Sequence, residues 1–508
     1  MEIHELNNYS GSLDAAYIAA DNGSMTGKLN VKDFVVTIDK NSQYGAKWNR
    51  LTNLLTRVGA AANITTDTTN FCHKGTINPN YNNPFDSIYP WSDITVCNVD
   101  LAAYRLLTSG GSVKSCITAV YGDPDFTYEG TKDLFVGVYI PEFWYWSGQD
   151  SAGNVTFYVS DRERTGYKHH EEEVRGVGFA VDAGDSKVTA GAGIPLTNIA
   201  VSTIHSRAKS SGFTLADIDN LDAIITLFVV EYANMNGQAA IGNGCSSCYR
   251  ENSADVIANV DNTGTETVFE VTDSALSSVI FKGSQADFGA SVGATTYKGI
   301  VKDFSVSGST YTITLDRLLS SLTDGMYMSV HGFASCEFPL IGQSLGNMSG
   351  YLGTDEKANA YYRGMVLWGN RYQYTLGIYR QTGTNHLWIC PEGVDPDDYD
   401  ALNTSYHQDT GAALPSLGAA GWQTVGGNAQ RIAGLVAFMA TGTSSGSSSS
   451  PVGDQQYVPL ASAGNTILLS GGYAIIEWNC GLFCGAWHDV ASYSWWLSGA
   501  SPLLKNPQ

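Results

Sequence analysis

The 508-residue chain is short of charge: Asp, Glu, Lys and Arg make up only 15 % of it. An average soluble domain carries about 25 %, so this composition excludes coiled coils and charge-rich disordered chains. Basic residues are scarcer than acidic ones, 28 against 49, for a net charge of −21. Phosphate backbones need Lys and Arg to neutralise them and no basic run is present, which excludes a nucleic-acid partner. Charge-driven docking on an anionic bilayer is excluded on the same ground. No uninterrupted apolar stretch reaches about 18 residues, so membrane insertion is not expected. The first residues, MEIHELNNYSG, have neither the basic nor the apolar region of a signal peptide. Cysteine is sparse, nine in all. The odd count leaves at least one thiol without a partner in the chain, and the low density fits folding in a reducing cytoplasm.

What is abundant is Gly (55), Tyr (28) and Trp (11), with 43 % hydrophobic residues overall. This is the texture of strands and loops with uncharged polar surfaces, in a chain long enough for two to four domains. After a turn at Asp21-Asn22-Gly23-Ser24, residues 1–45 read as a small module. In 47–62, Trp48, Leu51, Leu54, Leu55 and Val58 form a stripe that predicts a helix, and 63–95 read as a loop or extended arm. Leu134–Ile140 predicts a strand stopped by Pro141, and Phe143–Trp146 with Asn154–Val159 a hairpin. Residues 214–238 predict the strongest helix, with Thr214 as its cap. Short strands at 267–271, 297–301, 311–315 and 326–330 mark an all-β module that interrupts the mixed texture. The expected organisation is therefore a module at 1–45, a helix and linker at 46–95, and an α+β domain in two parts, 96–253 and 334–508, around an inserted small β-barrel at 254–333. The barrel's ends should lie close together, because its flanks belong to one domain.

Several motifs invite chemistry and fall short of it. Gly442-Thr443-Ser444-Ser445-Gly446 matches a nucleophile elbow, but the Ser run and Pro451 that follow cannot start the helix the elbow requires, so it reads as a flexible loop. His169-His170-Glu171-Glu172-Glu173 holds metal-ligand types, but adjacent residues do not converge on one ion, and the run reads as a solvated charged face. Cys245-Ser246-Ser247-Cys248 is half of a zinc site with no second half, and reads as two free thiols. Asp395–Asp400 lacks the Gly and distal Glu of a calcium loop. No catalytic residue, metal or cofactor is assigned, and the chain is not read as an enzyme.

The distinctive stretch is 478–498, where Trp, Tyr and Phe mix with Ser, His, Asp and Asn. Rigid amphipathic rings beside small polar groups are the composition of binding surfaces. Strand side chains alternate faces, so Trp487, Trp495 and Trp496 are too close in sequence for all to be buried comfortably. Phe483, Trp487, His488, Asp489, Tyr493, Trp495 and Trp496 are expected to share one solvent-facing patch, with His488 making binding sensitive to pH near its ordinary value of about 6.5.

Five segments in order resemble phage virion proteins with a C-type-lectin-type fold, the class of tail-fibre tropism determinants and retroelement targets. They are Val138–Tyr145 with Phe157–Asp161; Ile224–Gly244, containing Glu231-Tyr232-Ala233-Asn234; Tyr362-Arg363-Gly364 with Leu367–Asn370; Gly446–Ser449 with Gly453-Asp454; and Gly471-Gly472 with Gly481-Leu482-Phe483 and Gly499-Ala500. The resemblance spans roughly 130–254 and 334–505. Ile3–Leu6, Asp21–Gly23 and Lys28–Asp33 are similar to the particle-anchoring starts of phage fibre proteins. The resemblance implies a C-type-lectin-like domain and a non-enzymatic fibre protein of the virion, made in the host cytoplasm. It also implies a homotrimer that joins other virion proteins through its N-terminus and binds a bacterial surface receptor, protein or glycan, through the patch above. The alternative is a structural head-fibre, decoration or tail component. Two features depart from the family: Ser501 stands where the family has Arg, and Trp478-Asn479 is followed by Cys480 rather than by the Asp of a lectin calcium site.

Overall fold

The computed structural model describes residues 43–52, 54–64, 83–242, 244–245, 248–261, 266–334, 359–391, 401–426, 429–442, 454–474, 480–495 and 498–507. All but the last three residues of the 1–45 module lie outside these, as do Asp395–Asp400, Thr443–Ser450 and Trp496.

The first described residues form a hairpin where a helix is expected: β1 (Gln43–Asn49) pairs with β2 (Leu54–Gly59). Asn49 Oδ1 accepts the amides of Leu51 (3.0 Å) and Thr52 (3.1 Å), which closes a turn. Strand alternation then sorts the stripe. Trp48 is fully buried, while Leu51 is 88 % and Leu54 66 % exposed. The expected boundary at 45/46 therefore falls inside a strand. Nor are residues 83–94 an arm. Phe85 and Trp91, on two short 3-10 turns, are fully buried with ring centroids 4.7 Å apart.

There follow β3 (Thr95–Asp100), β4 (Ile117–Val120), β5 (Leu134–Ile140), β6 (Phe143–Gln149), β7 (Val155–Ser160), β8 (Lys168–His170), β9 (Glu173–Gly176), β10 (Ala180–Gly184) and β11 (Lys187–Ala190). Helix α1 (Val201–Ser211), β12 (Thr214–Leu215), α2 (Ile218–Tyr232) and α3 (Gly237–Ile241) complete the first part. One sheet has the order β2-β1-β7-β6-β8. A second runs β12, the last strand of the chain (Pro502–Lys505), β9, β5, β3, β4. Helix α2 is shorter than the predicted 214–238: Thr214 belongs to β12, and Asp217 is the cap, its Oδ1 accepting the Asn220 amide at 2.8 Å. Fourteen of its fifteen residues are buried, so every face is covered, as in a helix at the centre of a core.

The inserted module is a closed barrel. Its strands are β13 (Tyr249–Asp261), β14 (Val268–Thr272), β15 (Ser284–Gly289), β16 (Tyr297–Ser307), β17 (Thr310–Leu315) and β18 (Tyr327–Phe333), in the order β13-β14-β17-β16-β15-β18. It starts five residues earlier than the texture of the sequence suggests, because β13 opens at Tyr249. Phe269, Phe288, Ile313, Met328 and Val330 fill a core of its own. Tyr249 pairs with His331, and the Gly332 amide donates to the Cys248 carbonyl at 2.8 Å, so the chain leaves where it entered. Buried Arg371 clamps the barrel to the larger domain, donating to Gln285 Oε1 (2.8 Å) and to the His331 carbonyl. Gly332, with φ +72°, passes under this clamp; a Cβ there would lie 2.4 Å from Arg371 Nη1.

The remainder comprises β19 (Tyr361–Tyr362), β20 (Met365–Val366), β21 (Tyr372–Arg380), β22 (His386–Ile389), β23 (Gln408–Ala413), β24 (Gly421–Thr424), β25 (Gln430–Arg431), β26 (Met439–Ala440), β27 (Gln455–Val458), β28 (Thr466–Ser470), β29 (Gly485–Ala486), β30 (Ser498–Gly499) and β31 (Pro502–Lys505). Its main sheet runs β23-β22-β21-β28-β29-β27-β24. Because β31 lies between β12 and β9, the two parts around the barrel share one hydrophobic core. A buried ion pair fastens them. Arg363 donates from Nε to Glu231 Oε2 and from Nη2 to Glu231 Oε1, both at 2.8 Å, and Tyr362 Oη donates to Oε2 at 2.8 Å. Trp368 Nε1 donates to the Gly242 carbonyl at 2.9 Å, and the Phe483 amide to Asp454 Oδ2 at 2.7 Å. The described residues are mostly strand, with few helices. Among the described residues no helix is long and apolar enough to cross a membrane.

Candidate functional site

The C-terminal stretch divides between core and surface. Phe483 and Trp487 are fully buried and Asp489 nearly so, which removes three residues from the expected patch. The reason is local. The Asp454 carboxylate holds the Phe483 amide, and the close approach of Gly481 to Asp454 turns the chain inward. The Trp487 amide then donates to the Tyr457 carbonyl at 3.1 Å, placing the indole inward and His488 outward. Tyr493 is 45 % exposed, while His488 and Trp495 are half-buried.

The structure adds rings from elsewhere to these three. Trp422 on β24 faces its cross-strand partner Tyr457 on β27, centroids 5.5 Å apart. Tyr457 meets His488 at 5.1 Å, His488 meets Trp495 at 6.3 Å, and Trp495 meets Tyr473 at 6.0 Å and Tyr493 at 6.4 Å. Most of these contacts are edge-to-face, the favoured arrangement of ring quadrupoles, so the cluster is a fixed surface. Trp422 and Tyr457 lie too far from 478–498 for sequence proximity to find them, and Tyr473 stands five residues before it. Their trace is alternation alone, as in the outward Tyr457 among the buried residues of β27.

The electrostatics of the cluster differ from expectation as well. Burial pushes His488 down to about 4 and Asp489 up to about 7. Burial thus favours the neutral form of each, and their side chains lie 3.2 Å apart. His488 is therefore not a switch near pH 6.5.

A second concave region is a cleft of about 760 Å³. Its floor corrects the reading of 169–173 as a solvated run, because His170 and Glu173 are buried in β8 and β9. Glu173 accepts from Asn220, which accepts from Arg175, which donates in turn to Gln373 at 2.5 Å. Lys505 pairs with Asp217 at 2.5 Å and Lys168 with Asp219 at 2.5 Å. Burial, then the neighbouring Asp217, raises Glu173 to about 8, and burial lowers His170 to about 3. Cys245, Cys248, Cys480 and Cys484 are buried. Among the described residues, no group of three or more His, Cys, Asp or Glu gathers as a metal site.

No protein-family model matches the chain, and no curated protein matches it.

Proposed function

We propose that this is a non-enzymatic fibre protein of a phage virion, with a C-type-lectin-type domain that attaches the particle to a bacterial surface receptor through the aromatic cluster around His488, Tyr493 and Trp495. The observation that carries the reading is this cluster: six rings drawn from four separate stretches of chain, held edge-to-face at a solvent boundary. Rings packed so and left half-open are anchors awaiting a partner. The resemblance is supported by the way its segments meet in space. Glu231 meets Tyr362 and Arg363, Gly242 meets Trp368, and Asp454 meets Phe483. Ser501, where the family has Arg, donates to the carbonyl of Gly178 at 2.9 Å and so keeps a polar contact at that place. The homotrimer and the virion location belong to the same reading, and light scattering tests the trimer.

One observation favours an enzyme instead. A buried carboxyl raised to about 8 with another carboxylate close by, on the floor of a cleft, is the arrangement of a hydrolytic acid–base pair. Here both groups are engaged, Glu173 by Asn220 and Asp217 by Lys505 and the α2 cap, so they fasten β9, β31 and α2 together. The test is particle adsorption by a Tyr493→Ala/Trp495→Ala variant. Particles should assemble and fail to adsorb, and normal adsorption would overturn the proposal in favour of a structural component.

A further inference from the structure

The ring cluster at the C-terminal end is built around one pair of side chains. His488 meets two of its rings, Tyr457 at 5.1 Å and Trp495 at 6.3 Å between centroids, and the buried ring of Tyr372 at 6.2 Å. The Asp489 side chain, only 3 % exposed, brings Oδ1 to 3.2 Å from His488 Nε2. Its Oδ2 is buried without a hydrogen bond, and so is His488 Nδ1. The Asp489 backbone is fixed, its carbonyl accepting the Ile467 amide of β28 at 3.1 Å.

Among the described residues no Lys or Arg offsets this carboxyl. Between Asp454 and Lys505 the sequence holds two charged residues, Glu477 and Asp489, and Glu477 lies outside the described residues. The titratable groups that face Asp489 from β21 are Tyr372 and Tyr374, with Tyr473, Cys480 and Cys484 next to the first and Tyr493 next to the second. Tyr457 of β27 meets His488, and β28 contributes no titratable group. Burial pushes Tyr372, Tyr374, Tyr473 and both thiols up, so these stay uncharged at neutral pH. Rings also line the first sheet, where Trp146 lies 26° from the plane of its cross-strand partner Tyr158 and 19° from that of Tyr167. There a guanidinium, Arg164, acts on Tyr167. At the C-terminal end, the proton on Asp489 decides whether the pair at the centre of the cluster is charged.

We propose that Asp489 is a proton switch for the C-terminal surface, weakening its hold on a partner when the carboxyl ionises. The proposal rests on the reading of that surface as the receptor contact. A carboxylate buried without a cation is costly, and a partner that covers the rings removes the water still near it. Binding therefore favours protonated Asp489, and by linkage affinity falls as pH rises through the midpoint of the carboxyl. The hydrogen-bonding sense of the pair changes with it. Protonated Asp489 offers a hydroxyl to His488 Nε2, whereas the carboxylate only accepts and requires the imidazole proton to sit on Nε2. The proton lost goes to solvent, and the imidazole proton moves from Nδ1 to Nε2. Burial raises Asp489 to about 7 and lowers His488 to about 4, so the change falls at neutral pH, where the imidazole is uncharged.

Two measurements separate the switch from the receptor reading. Intrinsic tryptophan fluorescence of the purified full chain, followed from about pH 5 to about pH 9, should show a step near 7, because Trp495 meets His488. Asp489→Asn should remove that step. Particle adsorption should fall by up to about tenfold between about pH 6 and about pH 8, the limit for one proton with its midpoint near 7, and Asp489→Asn particles should adsorb equally across that range. If Asp489→Asn does not fold, His488→Phe decides in its place: the carboxyl loses its nearest polar neighbour, and the fluorescence step should move to higher pH. A trace without a step, a step that survives Asp489→Asn, or a step unmoved by His488→Phe would overturn the switch. A fluorescence step with adsorption that ignores pH would overturn its control of binding. Normal adsorption by Tyr493→Ala/Trp495→Ala with the step intact would overturn the receptor reading, and the control of binding with it, while upholding the titration of Asp489.

Discussion

The two aromatic surfaces use the same residue types and are built in opposite ways. On the first sheet, regular strands with a glycine beside each ring let Trp146 and Tyr158 lean over the sheet as near-parallel rings. At the C-terminal end, β24, β27 and β29 are four residues long or fewer, and the rings of Trp422, Tyr457, His488 and Trp495 meet edge-on. Regular backbone with gaps gives near-parallel rings, whereas irregular backbone gives edge-to-face ones.

The comparison assumes a common scaffold, and the largest effect should come from breaking it. Arg363→Ala removes the bidentate cation from buried Glu231, which should cost about 3–5 kcal/mol. Urea unfolding measures this, and both surfaces should fail together; a loss confined to one would show that they are supported separately. Next, Trp487→Ala should cost about 3–5 kcal/mol as a core truncation, whereas half-buried Trp495→Ala should cost about 1 kcal/mol. Equal losses by chemical denaturation would erase the division between core and surface at that end. Gly148→Val drives a side chain into the Trp146 ring, with an expected cost of about 1–3 kcal/mol. Near-ultraviolet circular dichroism should change while C-terminal hydrogen exchange does not.

The smallest effect is on pH dependence. Glu173, raised to about 8, holds its proton in the folded state after the unfolded chain has released its own. Its contribution is complete below the unfolded value of about 4.3 and is lost as pH rises through about 8. His488, lowered to about 4, works in the opposite sense: its contribution is complete above about 6.5 and is lost as pH falls through about 4. Melting temperature should therefore decline on both sides of mildly acidic pH. Glu173→Gln should lessen the decline on the alkaline side, where Asp489, raised to about 7, acts in the same sense, and leave the acid side as it is; an unchanged alkaline side would refute that assignment.

The sequence made the strands of the barrel and the Leu134–Ile140 strand legible, because alternation and turn residues act locally. It misled wherever a partner distant in sequence decided the outcome. The 47–62 stripe fits a helix by count, but β7 supplies a strand to pair with, and the Asn49 turn leaves Leu51 and Leu54 in solvent. Phe483 and Trp487 read as surface because the carboxylate and carbonyl that draw them inward belong to Asp454 and Tyr457. Half of the C-terminal cluster was visible as His488, Tyr493 and Trp495; Trp422 and Tyr457 join it only once β24 and β27 have paired.

The closeness of the barrel's two ends bears on the order of folding. Until residues 249–333 are structured, the larger domain must join 248 to 334 across a floppy excursion of that length. Once β13 pairs with β18, the same junction is as short as a tight turn. Loop-closure entropy grows by about 0.6 kcal/mol per doubling of length, so prior closure of the barrel relieves the larger domain of about 2–3 kcal/mol. A barrel closed in advance would thereby hold the two distant parts of its host in register for Arg371 to seat against Gln285.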